Sequence, residues 1–411
     1  MAEKKEVDYT LSNPDNLTKW KTAAAISEKV LAAVSELCVA GEKIITICQK
    51  GDKLIEEEVA KVYRTTKHKG FAHPTTVSPS SYVTPYTPMT SDTAEASVEL
   101  QAGEPVKIQL GAQIDGFGSI VCDTIIIGAE DVVTGRTADL MLATHYANEL
   151  LLRLMMPPGL LAAGTDEEKA AAAAVKAPTQ TKITQLLEKV AKSYDCNLVE
   201  STTSWLFEHD EIEGKKKIVI APAEGTKGEG TPEIGEVWGV EMGVSLGSGK
   251  VKTLEQRATL HRRTTNTYIL KSQTARKTLS TIQSKFGHFP FSSRQLEEEG
   301  GDTKFKVGLF DGVRQGVLRQ YELVGDKDNA PVARLLTTLA ITKNGITKLG
   351  APPALDVSKY QTDKKVTDEE ILKILEQPLA KNKGKSKNKK KKKPAKKDAK
   401  TEGGEEESGE E

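Results

Sequence analysis

Long apolar runs are missing from this sequence. No uninterrupted stretch approaches the roughly 18 to 20 apolar residues that a bilayer-spanning helix needs. The polar start from Met1 to Thr10, in which Lys4 and Lys5 precede no apolar segment, lacks the pattern of a secretory signal. We therefore expect a globular chain that has no membrane partner.

Cysteine and histidine motifs are missing as well. The 4 cysteines, Cys38, Cys48, Cys122 and Cys196, form no C-x-x-C pair, and the 6 histidines are scattered along the chain. This pattern argues against a zinc ribbon or a redox motif, and it favours reduced, buried thiols in a cytosolic protein.

Net charge is also absent, because 58 basic and 58 acidic residues balance. The balance conceals a segregation: residues 381–411 hold 12 Lys and 7 acidic residues, and the rest of the chain holds 46 basic and 51 acidic ones. The last segment has too few apolar residues to offset the entropy of ordering it. We expect residues 381–411 to form a disordered tail that is basic at first and acidic at its end.

The apolar pattern predicts a mixture of helices and strands. The predicted helices are Lys19–Val39, a second one that begins after an N-cap at Asp52, Ala138–Leu154 and Lys182–Val190. The predicted strands are Val106–Leu110, Ser119–Ile127, Ile218–Ile220, Val237–Leu246 and Ala333–Thr342. Because helices and strands do not alternate regularly, the pattern favours an α+β fold over a doubly wound sheet.

Turn signals and prolines separate these elements. Asp115-Gly116 is a dipeptide typical of tight hairpins, in which both central residues need positive φ. Four prolines between Gly70 and Met89 predict an extended, turn-rich segment. Ala162–Gln180 and Pro222–Gly235 have the composition of exposed insertions. The apolar cluster between Ile371 and Leu375 fits a terminal helix docked on the body better than a helix that binds a partner.

One segment is strongly basic. Between Lys250 and Gln295 the only acidic residue is Glu255. Tyr268, Phe286, His288 and Phe289 are interleaved and could stack on bases or pack in a core. We interpret the segment, with the lysine run of the tail, as a candidate nucleic-acid-binding surface rather than an ordinary mixed surface. The candidate residues are Lys250, Lys252, Arg257, Arg262, Arg263, Lys271, Arg276, Lys277, Lys285, Arg294, Lys389, Lys390, Lys391, Lys392 and Lys393.

Several segments together resemble the pita-bread fold of type-two methionine aminopeptidases. The likeness is greatest to the non-catalytic branch, the proliferation-associated or ErbB-receptor-binding proteins, whose fungal members are described as curved-DNA-binding proteins. The matching stretches are Gly51-Asp52 to Glu57, Gly70-Phe71 to Pro88, Val106 to Gly111 with Asp115-Gly116-Phe117, Thr134-Gly135-Arg136 with Ala138-Asp139, Glu236-Val237-Trp238 with Val240-Glu241, and Ala333 to Gly345. Their order and spacing carry the resemblance from about Lys19 to the end of the chain.

The resemblance implies a domain organisation. It gives an N-terminal arm over residues 1–18 and a pita-bread domain over residues 19–380. The basic segment becomes part of a subdomain inserted over residues 250–320, and the tail follows over residues 381–411.

The resemblance also implies that a metal site has been lost. The peptidases hold two divalent metals with carboxylates and an imidazole, and the metals activate water. The ligand positions correspond to Gln109, Ile120, Ser204, Glu241 and Leu336, and the substrate-side catalytic histidine corresponds to Pro85. Glu241 is the one kept ligand, and hydrocarbon at Ile120 and Leu336 leaves a dication uncompensated. We expect no metal, no cofactor and no peptidase activity.

The expected function is therefore a non-enzymatic one. The resemblance implies a ribosome-associated, RNA-binding factor of the cytoplasm, nucleus and nucleolus, acting in ribosome biogenesis or translation control. It would dock on the large ribosomal subunit and its RNA near the peptide exit, where the remaining groove could contact nascent chains. The alternative is a curved-DNA-binding or transcription-linked protein that uses the same basic groups. An active metallo-aminopeptidase is the least favoured alternative.

Overall fold

A computed structural model describes residues 7–129, 131–300 and 304–381 of the chain. The described residues up to Ala380 form one compact unit. The predicted tail beyond residue 381, including Lys389 to Lys393, lies outside the described residues, and the predicted domain boundaries stay predictions. In the described ranges no helix is long and apolar enough to cross a bilayer.

Helices and strands are mixed along the chain, and the predicted α+β class is confirmed. The helices are α1 (Pro14–Leu37), α2 (Ile44–Lys61), α3 (Thr93–Ala96), α4 (Gly135–Leu154), α5 (Asp166–Ala173), α6 (Gln180–Ser193), α7 (Gln273–Phe286), α8 (Ser293–Gly300), α9 (Phe305–Arg314) and α10 (Glu369–Leu375), with a 3₁₀ turn at Val357–Lys359. The strands are β1 (Lys69–Ser78), β2 (Pro105–Ile114), β3 (Phe117–Ile126), β4 (Val133–Thr134), β5 (Asn197–Leu198), β6 (Thr202–Phe207), β7 (Lys217–Ile220), β8 (Val237–Ser245), β9 (Val251–Thr253), β10 (Leu260–Arg263), β11 (Phe291–Ser292), β12 (Leu318–Gln320), β13 (Val324–Asp326), β14 (Val332–Thr342), β15 (Gly345–Gly350) and β16 (Tyr360–Gln361).

A large, mainly antiparallel sheet organises the compact unit. In the described part of the chain it has 9 strands, in the order β1-β2-β3-β14-β8-β6-β7, with β15 paired to β14 and β5 paired to β8. The β2–β3 hairpin turns at Asp115 and Gly116, whose φ values of 53° and 81° confirm the predicted turn. Strands β3 and β14 meet at the single pair Leu336–Cys122, which joins the two halves of the sheet.

Helices pack on one face of this sheet. Helix α1 lies on β2 and β3 and buries Ala23, Val30 and Val34, as its predicted apolar stripe requires. Its buried Ser27 Oγ accepts a hydrogen bond from the Ala112 N–H and donates one to the Ser119 carbonyl. Helices α4 and α6 cover the other half of the sheet, with Leu150 and Leu187 fully buried.

One local prediction is wrong, and another is confirmed with more order than expected. Asp52 does not cap a helix: it lies in the middle of α2, buried, where it accepts a hydrogen bond from the Thr75 N–H. Tertiary partners thus override its local preference for a helix start. The segment after Gly70 is extended as predicted, but it forms a long edge strand, β1, that tolerates Pro74 because the ladder is irregular between His73 and Thr76.

The basic segment folds against the body through small sheets and helices. Strand β10 pairs with β11 and β12, and β9 pairs with β13. Helices α7 and α9 pack on each other. Of its interleaved aromatic residues, Phe286 and Phe289 are buried, so they belong to the core, whereas Tyr268 is 43% exposed.

The remaining local predictions agree with the structure. The Ala162–Gln180 insertion carries the exposed helix α5. Helix α10 docks through the buried Ile371 on α4. The 4 cysteines are buried and free of disulfides, and burial raises the pKa of Cys48 to about 11.

Candidate functional site

The sheet face opposite the helices lines a cavity of about 660 Å³. It lies between the sheet and the small strands of the basic segment, with Leu260 and Tyr321 in its wall. Of the residues that correspond to the peptidase ligands and catalytic histidine, the cavity is lined by Gln109, Ile120, Glu241, Leu336 and Pro85.

Strand register brings these residues together. Gln109 of β2 lies opposite Cys122 of β3, and Leu336 of β14 lies opposite both Cys122 and Glu241 of β8. Directly paired residues of a sheet project from the same face. Gln109, Leu336 and Glu241 therefore form one row across the sheet, and Ile120, two residues before Cys122, belongs to the same face.

Ser204 is placed differently from the expectation. It does not line the cavity, and it is fully buried on the other face of β6, where its Oγ accepts a hydrogen bond from the Glu241 N–H at 3.0 Å. Because side chains alternate along a strand, its neighbours Thr203 and Trp205 face the cavity instead. Ser204 therefore does not share the cavity face with the other positions that correspond to the peptidase ligands.

The centre of the row is occupied by Arg334, which sequence reasoning missed. Its Nε donates to Glu241 Oε1 at 2.8 Å and its Nη2 donates to Gln109 Oε1 at 3.2 Å. Nη2 also forms an ion pair with Glu241. Arg334 precedes Leu336 by two positions on β14, so strand alternation was the signal that could have placed it on the same face.

The ion pair is a buried one. The side chain of Arg334 is 5% exposed and that of Glu241 is 20% exposed. Burial acts to lower the pKa of Arg334, but the Glu241 carboxylate opposes it and keeps the pKa above its ordinary value. The guanidinium therefore stays charged, and it places a fixed cation against the one carboxylate kept from the ligand row.

The rest of the cavity wall is poor in metal ligands. Ile120 and Leu336 present hydrocarbon, and within the described ranges no group of three or more His, Cys, Asp or Glu side chains could hold a metal ion. His73 is the one imidazole among the described residues that line the cavity, and its Nδ1–H donates to the Pro74 carbonyl, but a single imidazole cannot hold a pair of metal ions. The residues present thus do not fit a dinuclear metal centre.

The basic residues of the candidate nucleic-acid-binding surface differ in how deeply they are buried. The expectation of exposure is wrong for Arg294, whose side chain is fully buried and pairs with Asp52 at 2.6 Å. It is also wrong for Arg262, which is 12% exposed and pairs with Glu211 and Glu213. These two arginines hold the segment to the body and are not available to phosphate.

The other cations of the segment reach solvent to different degrees. Lys252, Arg263 and Lys285 are half-buried. Lys250, Arg257, Lys271, Arg276 and Lys277 are exposed. Lys250 pairs with Glu200, and Arg276 donates to the carbonyls of Leu270 and Lys271. Lys271 and Lys277 form no ion pair with the described residues. Three of the five exposed cations in this described segment, Lys271, Arg276 and Lys277, thus lie around the start of α7, a few residues after Tyr268 in the chain.

Fold and cavity together define a peptidase-type scaffold in which an arginine–glutamate ion pair lies within the ligand row. A profile of "Metallopeptidase family M24" matches residues 18–203. The chain is 39% identical over 385 residues to the curved DNA-binding protein of Schizosaccharomyces pombe, covering 92% of this chain and 94% of that protein. It is 32% identical over 388 residues to ERBB-3 binding protein 1 of Arabidopsis thaliana, with 93% and 91% covered.

Solved structures agree with this assignment. A thermophilic Arx1 structure superposes with a TM-score of 0.87 at 69% identity, covering 90% of this chain and 100% of that one. A methionine aminopeptidase from Thermotoga maritima superposes with a TM-score of 0.51 at 15% identity, covering 82% and 98%, and shows the shared pita-bread fold. The chain belongs to the family of the curved DNA-binding, ERBB-3-binding and proliferation-associated proteins, as the sequence resemblance indicated.

Proposed function

We propose that the chain is a non-enzymatic, RNA-binding factor that associates with the large ribosomal subunit near the peptide exit. The observation that carries the proposal is the replacement of the metal-binding row by the Arg334–Glu241 pair and hydrocarbon. A site of this composition cannot generate a metal-bound hydroxide, so selection must act on another property of the scaffold. We propose that this property is binding, in ribosome biogenesis or translation control.

The exposed cations around the start of α7 support nucleic acid as the ligand. Lys271, Arg276 and Lys277 project from one short stretch, and no acidic residue lies between Glu255 and Gln295. Tyr268, 43% exposed, adds an aromatic ring that can stack on an unpaired base. Phosphate neutralisation by such cations supplies affinity that falls with salt.

The test is co-sedimentation with ribosomal subunits on sucrose gradients at two salt concentrations. We expect Lys271→Glu/Lys277→Glu to weaken binding to the large subunit and to reduce the slope of log K against log salt by about 1.4 to 1.8, since each lost contact contributes about 0.7 to 0.9. The matched control is Lys176→Glu/Lys227→Glu, which reverses two exposed lysines elsewhere. Equal binding by the folded double variants would contradict the proposal.

DNA is the second candidate ligand, because one relative carries the name curved DNA-binding protein. The same cations would serve, since both polymers present phosphates. A competition experiment decides between RNA and DNA. We expect the concentration of ribosomal RNA that displaces the protein from curved duplex DNA to be lower than the concentration of curved duplex DNA that displaces it from ribosomal RNA. Preference for the duplex would favour the DNA-binding alternative.

Two further parts of the proposal concern location and the cavity. We propose that the protein occupies the cytoplasm, the nucleus and the nucleolus, which imaging of the tagged full chain tests.

We propose that the cavity of about 660 Å³ is open to a nascent chain. Replacing Trp205, which lines the cavity, by a photoreactive residue and crosslinking on translating ribosomes tests that contact. Absence of crosslinks on translating ribosomes would leave the surface cations as the site of contact with the ribosome and would remove nascent chains from the proposal.

A further inference from the structure

A second cavity lies behind the sheet, on the face opposite the peptidase-like site. It has a volume of about 440 Å³. Its walls are the back of β3 and β14, the helix α4 and the segment after β15 that ends at Tyr360. Asp123 lines it from β3, one residue after Cys122, so strand alternation turns its side chain away from the first cavity. A pocket of this size holds a small organic group.

Among its described residues, this cavity holds a hydrogen-bond acceptor without a donor, at Asn148, and a carboxylate without a counter-charge, at Asp123. Asp123 Oδ1 accepts the Thr124 N–H at 2.8 Å, and no described cation pairs with the carboxylate. Asn148, on α4, is 6% exposed, and its Oδ1 finds no donor among the described residues. A buried acceptor without a donor is unfavourable, so Asn148 Oδ1 favours a ligand that donates a hydrogen bond. The Asp123 carboxylate, which has no described counter-charge, favours a donor that is also a cation.

The charges around the cavity favour a cationic ligand. Asp131 and Asp356 contribute negative charge, as Asp123 does when it is ionised, whereas Glu149 and Lys348 pair with each other at 2.9 Å. Burial lowers the pKa of His145 below its ordinary value, so this side chain is neutral at pH 7. The remaining cation of the described lining is Lys359, and the cavity therefore keeps an excess of negative charge.

The ligand is not expected to be a metal ion. No group of three or more His, Cys, Asp or Glu side chains in the described ranges is arranged to hold one. An organic ammonium or guanidinium group needs only one carboxylate and neutral acceptors, and it tolerates an aromatic wall such as Tyr360. Asp123 and Asn148 supply the carboxylate and the neutral acceptor.

We propose that the cavity behind the sheet binds an ammonium or guanidinium group through Asp123 and Asn148. The Asp123 carboxylate supplies the charge, and the Asn148 Oδ1 accepts a second hydrogen bond. The group comes either from a free polyamine or from an Arg or Lys side chain of a protein partner.

The raised pKa of Asp123 is consistent with the lack of a described cation beside its carboxylate. Burial raises its pKa to about 7, opposed only by the Thr124 N–H. A bound cation favours the ionised form, so cation binding must strengthen as the pH rises through this range. The other ionisable groups that line the cavity are Asp131, Asp356, Glu149, Lys348, Lys359, His145 and Tyr360. Of these, His145 has a pKa moved down by burial, and Tyr360 has one moved up by burial.

Isothermal titration calorimetry of the full chain tests the proposal with three probes: L-argininamide, its neutral analogue L-citrullinamide, and spermidine. We expect argininamide to bind, the neutral analogue to bind at least about tenfold more weakly, and affinity to rise between pH 6 and pH 8. Asp123→Asn, which keeps the side-chain shape, should weaken argininamide binding about tenfold or more, and Asn148→Leu should weaken it less. Glu224→Gln, an exposed acid outside the cavity, is the matched control and should bind as the wild type does.

The remaining outcomes are equally informative. Tighter binding of spermidine than of a short arginine peptide identifies a polyamine as the source of the cation, and the reverse order identifies a protein side chain. Equal binding of argininamide by wild type and Asp123→Asn, with both folded by circular dichroism, places the ligand elsewhere and overturns the proposal. Absence of binding by every cation also overturns it.

Discussion

Arg334 of β14 reaches diagonally to Glu241 on the neighbouring strand β8. The Cα of Arg334 lies opposite Gly243, yet its guanidinium bonds the carboxylate of Glu241, two residues before Gly243 on β8. The contact also includes Gln109 on β2, so one arginine connects three strands of the row that corresponds to the peptidase ligands. This relationship shows what replaces the metal as the partner of the one carboxylate kept from the ligand row.

The first prediction concerns this pair. Arg334→Met should destabilise the protein by about 3–5 kcal/mol, because Glu241 is left partly buried and uncompensated. The double variant Arg334→Met/Glu241→Gln should recover part of the loss, since the unpaired charge is removed. Urea unfolding monitored by circular dichroism measures both. Arg314→Met, which removes an arginine with a 64% exposed side chain, is the control and should change stability by less than about 1 kcal/mol. If Arg334→Met were as stable as Arg314→Met, the structural role of Arg334 would be contradicted.

The second prediction concerns chemistry. The purified protein should hold far less than one transition metal per chain and should not cleave a Met-Ala-Ser peptide with cobalt or manganese added. The reason is that Arg334 pairs with the one kept carboxylate, and that Ile120 and Leu336 put hydrocarbon at two ligand positions. Elemental analysis and a peptidase assay measure this. A methionine aminopeptidase assayed in parallel is the positive control. Two metals per chain together with metal-dependent turnover would refute the non-enzymatic proposal.

The third prediction separates stability from nucleic-acid binding in the basic segment. Arg294 Nε donates to Thr87 Oγ1 at 3.1 Å, its Nη2 pairs with Asp52 at 2.6 Å, and its Nη1 bonds Glu298. A lysine cannot make all three contacts, so Arg294→Lys should lower the melting temperature by several degrees. At a temperature where the variant is folded, the salt slope of RNA binding should equal that of the wild type, because the side chain is fully buried. A changed slope in the folded variant would show that Arg294 contacts phosphate.

The fourth prediction concerns pH and Asp123. Burial raises its pKa in the folded chain to about 7, above its ordinary value of 3.8. The folded state therefore binds the proton more tightly than the unfolded state, and this carboxyl destabilises the fold increasingly as pH rises from about 4 to about 7. Asp123→Asn should raise the melting temperature relative to wild type at pH 8 and have little effect at pH 4. Thermal scans at both values test this, and an effect of the same size at both would show that the charge is not responsible.

Local sequence signals determined much of the fold. Asp115 and Gly116 adopt positive φ because their own chemistry favours it, and the apolar stripe of α1 is buried because a helix of that period has one apolar face. The resemblance placed Gln109, Ile120, Glu241 and Leu336 in one site, and strand register brings them together. Such features depend on a few residues that are close in sequence, or on the spacing of residues along a strand. Because side chains alternate between the two faces of a sheet, that spacing alone places them on the same face.

Tertiary structure decided the identity of the cation in that site and the fate of the basic residues. Arg334 contacts partners on two other strands, and Arg294 pairs with Asp52, which is 242 positions away in the chain. Sequence composition presents each of these arginines as a solvated charge, because isolated charges are usually exposed. Whether a charge is buried depends on a partner that only chain folding brings within hydrogen-bonding distance. For that reason the sequence by itself determined the scaffold and the loss of the ligands, whereas the three-dimensional packing decided that an arginine lies among them and that Asp123 faces a second cavity.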